Sequence, residues 1–117
     1  PRAPKPTALE AETITLVPED NERLANLCGP FDEHLREIEL RVGVEIANRG
    51  NLFRVSGAAE AVRAASRVLK SLYEAADTET LTAARVHLAV KDDETEASAK
   101  AFLKETLQVF PFHVTHS

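Results

Sequence analysis

Tryptophan and methionine are absent from this chain of 117 residues, tyrosine occurs once and phenylalanine five times. The core must therefore be built from Leu, Val, Ile and Ala with a few Phe. A single cysteine, Cys28, excludes an intramolecular disulfide and fits a reducing compartment. No apolar run approaches the roughly 20 residues that a membrane-spanning helix needs. The N-terminal Pro1-Arg2-Ala3-Pro4-Lys5-Pro6 lacks the apolar segment of a signal peptide, so the expected location is cytoplasmic, with no membrane partner. A basic excess is missing as well. Fourteen Lys and Arg face nineteen Asp and Glu, a net charge of −5, whereas a freestanding nucleic-acid binder normally carries a basic footprint. A local basic stripe remains compatible with that total. The phosphate-cradling pattern Gly-x-x-x-x-Gly-Lys-Ser/Thr is absent, so no nucleotide cofactor is expected in this chain.

What is present is ordinary for a soluble globular domain: 44% hydrophobic and 28% charged residues, enough for one compact unit with tails. Residues 1–10 are Pro-rich and read as a flexible tail. Thr13-Ile14-Thr15-Leu16-Val17 alternates and is rich in β-branched residues, so it predicts a first strand, ended by Pro18. Asp20 or Asn21 is placed to cap a short helix carrying Leu24, Leu27 and Cys28 on one face. Gly29-Pro30 breaks the chain. Asp32 is positioned to cap the next helix, whose apolar stripe reads Phe31, Leu35, Ile38 and Val42. Gly43 stops that helix in the manner of a left-handed cap. Val44-Glu45-Ile46-Ala47 and Phe53-Arg54-Val55 predict two further strands joined by a short hairpin loop, Asn48-Arg49-Gly50-Asn51. After Gly57 an Ala-rich helix runs from about Ala59 to Tyr73, with a stripe of Val62, Ala65, Leu69, Leu72 and Tyr73.

The expected core over residues 12–76 is thus strand, helix, helix, strand, strand, helix: an α+β fold with a three-stranded antiparallel sheet and helices on one face. Residues 77–92 predict an additional helix capped by Thr82, with Val86, Ala89 and Val90 on one side. Asp92 to Glu96 reads as an acidic break. Residues 93–117 form a C-terminal extension, with a modest helix over Ser98 to Gln108 and an apolar, extended end around Val109-Phe110-Pro111-Phe112-His113-Val114.

The order of elements from Leu27 to Leu72 is that of a type I KH-like domain, a small nucleic-acid-binding module. Three sets of residues sharpen the likeness: Leu27-Cys28-Gly29-Pro30-Phe31-Asp32, then Gly43-Val44-Glu45-Ile46 with Arg49-Gly50, and Val86-His87-Leu88-Ala89-Val90. Together they make the stretch from about Ile14 to Val90 resemble the N-terminal KH-like domain of PhoH-like (PhoH/YbeZ) P-loop ATPases. The resemblance implies a non-catalytic module ahead of an ATPase domain, with RNA metabolism and ribosome maturation as the setting. It implies an endoribonuclease of the YbeY type or a ribosome-associated protein as partner, and phosphate-starvation regulation in one branch. ATP and magnesium would belong only to the ATPase domain that this chain lacks.

A working KH module uses Gly-x-x-Gly between its first two helices, so that backbone amides can approach phosphates. The aligned residues here are Gly29, Pro30, Phe31 and Asp32. Pro30 has no amide proton to give, and Asp32 brings negative charge to the helix end. This turn reads either as a structural turn plus cap or as a residual nucleic-acid contact. The candidate nucleic-acid-binding residues are Gly29, Arg36 on the second helix, Arg49 in the hairpin and Arg54 on the third strand, with Arg23 as a flank. The competing reading is that these arginines are solvated surface charges balanced by Glu33, Glu37 and Glu45. Eight Lys or Arg face eleven Asp or Glu between Glu12 and Ala76.

No catalytic residue and no metal site are expected. Cys28 lies on an apolar face without an evident activating partner, although His34 is six residues away. His113 and His116 lack companions for a metal, and His87 reads as a helix-surface residue. Glu33, Glu37 and Glu60 are dispersed surface carboxylates rather than an acid/base pair. The apolar residues Phe102, Leu107, Val109, Phe110 and Phe112 need cover, either from the core or from a second copy of the chain. Three roles follow: a docking or RNA-positioning module, a weak single-stranded RNA binder, or a self-associating scaffold.

Overall fold

The computed structural model describes residues 9–96 and Leu103. Three strands, β1 (Leu9–Thr15), β2 (Val44–Arg49) and β3 (Leu52–Ala58), form one antiparallel sheet in the order β1-β3-β2. Helices α1 (Asn21–Cys28), α2 (Glu33–Ile38) and α3 (Ala59–Ala75) cover one face of it. A fourth helix, α4, occupies 83–96. The architecture is α+β and consistent with a KH-like fold.

The strand alternation decides the two faces of the sheet. Ile14, Val44, Ile46, Phe53 and Val55 point into the core, where they meet Leu27, Leu35, Ile38, Val62, Leu69 and Leu72. The predicted stripe on α3 is buried throughout, Tyr73 included. Burying side chains of this size stabilises each by about 1.5–3 kcal/mol. The hairpin is tighter than the four-residue loop expected. Arg49 pairs with Leu52, leaving only Gly50 and Asn51 in the turn. Gly50, with φ +59°, supplies the positive backbone angle that such a turn needs at its first position.

Several expectations are corrected. The first strand begins four residues earlier, at Leu9, so Leu9 and Glu10 belong to the sheet rather than to the tail, and Leu16 and Val17 lie beyond its end. Pairing with β3 extends the strand: Leu9 opposes Ala58 across the sheet. Asp92 to Glu96 is helical rather than a break, and Arg67 on α3 grips Asp93 with two hydrogen bonds of 2.8 and 3.0 Å. That tertiary pair holds an acidic stretch that has little reason of its own to end the helix. Thr82 caps α4 as expected, its Oγ1 accepting from the Arg85 amide at 3.2 Å. The helix over Ser98 to Gln108, the apolar end and the His113 and His116 pair lie outside the described residues, apart from the single helical position Leu103. Among the described residues, no helix is long and apolar enough to cross a membrane.

Candidate nucleic-acid interface

The turn between α1 and α2 occupies four residues, Gly29 to Asp32, and three of them have positive φ. Gly29 has φ +78°, Phe31 φ +55° and Asp32 φ +58°. Left-handed geometry costs an aspartate little but is unusual for a bulky phenylalanine. Asp32 therefore does not cap α2: no side-chain hydrogen bond is made to the first turn. Its own amide donates to the Gly29 carbonyl at 3.1 Å, and the Glu33 amide donates to the Pro30 carbonyl. Two amides that a phosphate would use are thus spent inside the turn, and Pro30 offers none.

Phe31 does not start the buried stripe of α2. It is 100% exposed, and His34 takes the inward place at 2% exposure. The helix begins only at Glu33, so the left-handed turn rotates Phe31 away from the face that holds Leu35 and Ile38. His34 Nδ1 lies 3.2 Å from the Asn26 carbonyl and 3.1 Å from that of Leu27, which makes it the protonated, donating nitrogen. The ring fills the space over Gly29, where a Cβ would come within 2.7 Å of it. Gly29 is thus required twice for structure, by its backbone angle and by the His34 ring. The His34 Nδ1 is committed to the carbonyls of α1. Burial, and secondarily the Asp32 carboxylate, push the Cys28 thiol up to about 11, far from a nucleophile's range.

An open groove of about 480 Å³ lies between α2 and the free edge of β2. It is lined by Arg36, Glu39, Glu45, Ile46, Ala47, Arg54 and Ser56. The sheet order leaves β2 on an edge. Arg36 stands on the helical wall, 53% exposed, with its Nη1 2.5 Å from Glu39 Oε1. Arg54 comes from the other side, since its register places it on the uncovered face beside Ala47 and Thr13. Of the four predicted residues, the structure brings Arg36 and Arg54 together. Gly29 and Arg49 do not line the groove: Gly29 belongs to the turn, and Arg49 closes the hairpin. Arg23, expected as a flank, packs instead 4.8 Å over the Tyr73 ring and pairs with Asp77 at 2.8 Å.

The counter-charges differ in part from those expected: Glu45 lines the groove, Glu33 and Glu37 do not. Glu37 is engaged with Arg41 of the turn that follows α2. Glu39 and Glu45 are the carboxylates in the groove. Glu39 was not expected there: it ends α2 in helical backbone, and what places it in the groove is the non-local bond of its Oε2 to the Ile46 amide. Asn26 and Asn51 were also missed. The latter ties the hairpin to the end of β1, its Nδ2 donating to the Leu16 carbonyl at 2.9 Å. Among the described residues, no group of three or more His, Cys, Asp or Glu is placed to hold a metal ion.

No family model matches the chain. Among solved structures, a protein of unknown function from Aeropyrum pernix is similar over 86% of this chain and 54% of its own length, with a TM-score of 0.60 and 16% identity. Dim2p from Pyrococcus horikoshii is similar over 72% of this chain and 49% of its own, with a TM-score of 0.59 and 14% identity. The chain thus spans about half the length of each of these two structures. At such identities the likeness establishes the fold.

Proposed function

We propose that this chain is a KH-like module that positions a larger assembly on single-stranded RNA through the groove beside β2. The observation that carries the reading is the pairing, in one hollow, of Arg36 and Arg54 with the free edge of a strand. Arginines supply phosphate contacts, and an edge strand supplies backbone groups that can meet base edges. The spent and proline-blocked turn at Gly29–Asp32 removes the usual backbone clamp, so affinity is low and positioning is the role. The motif series in Leu27–Asp32, Gly43–Ile46 and Val86–Val90 supports placing such a module before a PhoH-like ATPase domain, in which ATP chemistry would reside. A protein partner would then add to a weak RNA contact. In this reading the chain performs no catalysis of its own.

The test is titration of single-stranded RNA into isotopically labelled protein at low and moderate salt. Shifts centred on Arg36, Ile46 and Arg54 that shrink with salt are expected, together with loss of binding in Arg36→Glu and Arg54→Glu. Binding that survives both reversals would remove the groove from the reading.

A further inference from the structure

The end of α2 has a chemical result in the groove. It sets the Glu39 carboxylate between two donors: Oε1 lies 2.5 Å from Nη1 of Arg36, one helical turn back, and Oε2 accepts from the backbone amide of Ile46 at 2.7 Å. Ile46 sits on the edge strand, and the amide held by Glu39 points away from β3. The one carboxylate therefore engages both the cation of the helical wall and the outward donor of the strand. These are the two kinds of group that a nucleotide would need here, a charge for its phosphate and a backbone donor for its base. An ionised carboxylate resembles a phosphate in offering only acceptors. Glu39 is also the better sheltered partner, its side chain 20% exposed against 53% for Arg36.

We propose that Glu39 is an internal competitor that occupies the groove in place of single-stranded RNA. This inference rests on the reading of the groove as an RNA site. Binding requires the carboxylate to leave both donors, so the free protein keeps the two donors of its own groove occupied. Arg36 and Arg54 are matched in number by Glu39 and Glu45, which leaves the hollow without net attraction for a phosphate. Removing the Glu39 charge alone converts a balanced site into a cationic one.

The test compares the wild-type chain with Glu39→Gln, Glu39→Ala and the double variant Glu39→Gln/Arg36→Ala, using single-stranded RNA of about eight nucleotides over a salt series. Glutamine keeps an oxygen for the Ile46 amide and so preserves the fold while releasing Arg36. Expected are a gain of about fivefold or more in affinity for Glu39→Gln and a steepening of the salt slope by about 0.7, the value for one added phosphate contact on a single strand. Both gains should vanish in the double variant. In Glu39→Ala the Ile46 amide should also exchange faster with solvent, a readout that needs no RNA. If the wild type binds and Glu39→Gln binds equally, the competitor is overturned while the RNA reading stands. If none of the variants binds, the RNA reading fails and the inference falls with it.

Discussion

The molecule holds two hollows of the same size, about 480 Å³ each, and both contain an arginine paired with a carboxylate. In the hollow between α1 and the connection from α3 to α4, Arg23 lies over Tyr73, is bonded to Asp77, and has a side chain only 13% exposed. In the groove beside β2, Arg36 is half exposed and its partner Glu39 also holds a strand amide. The first pair joins elements that would otherwise be loose, with Asn26 making three further bonds there: to the Ala76 and Glu79 carbonyls and from the Leu81 amide. The second lies across an open groove. Identical chemistry is structural where burial and packing hold the cation, and available for exchange where water reaches it.

The strongest way to break this contrast is Asn26→Ala. It removes three hydrogen bonds to the α3–α4 connection, and should lower unfolding free energy by about 3 kcal/mol in urea denaturation. RNA affinity per folded molecule should not change. The turn joining α1 to α2 comes next. Gly29→Ala should cost about 2 kcal/mol through positive φ and the clash with His34. His34→Ala in the same chain should recover part of that loss, a coupling that a double-mutant cycle reads directly. Arg23→Ala should then cost about 1–1.5 kcal/mol from lost stacking and packing, and Arg36→Ala less than about 0.5 kcal/mol. Equal effects of the two arginines would erase the distinction.

A further effect, a pH dependence, shows only in alkali. The Cys28 thiol ionises near 9.0 in an ordinary setting and at about 11 in the fold. A raised pKa means that its contribution is complete below pH 9 and is lost as pH climbs through about 11. Thermal melts of the wild type should fall faster over that window than those of Cys28→Ala. The folded thiol should also resist alkylation near neutral pH.

The strands, three helices and nearly all of the core were legible because period and punctuation agree in the stretch from Asn21 to Tyr73: Asp20 caps, Gly43 and Gly50 turn, and Leu24, Leu27, Leu35, Ile38 and Val62 recur at helical spacing. Where sequence reasoning failed, the deciding interaction was non-local or geometric. Phe31 fits the apolar period of α2, but the left-handed turn rotates it into solvent and gives its place to His34. Three of the four charged groups of the groove were visible, in Arg36, Arg54 and Glu45. Glu39 was not, because its bond to the Ile46 amide depends on how the end of α2 packs against β2, which no local pattern marks. Gly29 was drawn into the site by analogy with a loop whose backbone here serves itself, and Arg49 by its place in a hairpin that closes short of the groove.

The strand order β1-β3-β2 also governs how the chain assembles. β2 and β3 meet through a two-residue turn and can pair within microseconds of collapse. β1 is made first but lies against the strand made last, so during synthesis it has no partner until Leu52–Ala58 appear. The segment Leu9–Thr15 must wait through the production of two helices and a hairpin. Its arrival closes the longest loop in the sheet and so carries the sheet's largest loop-closure entropy.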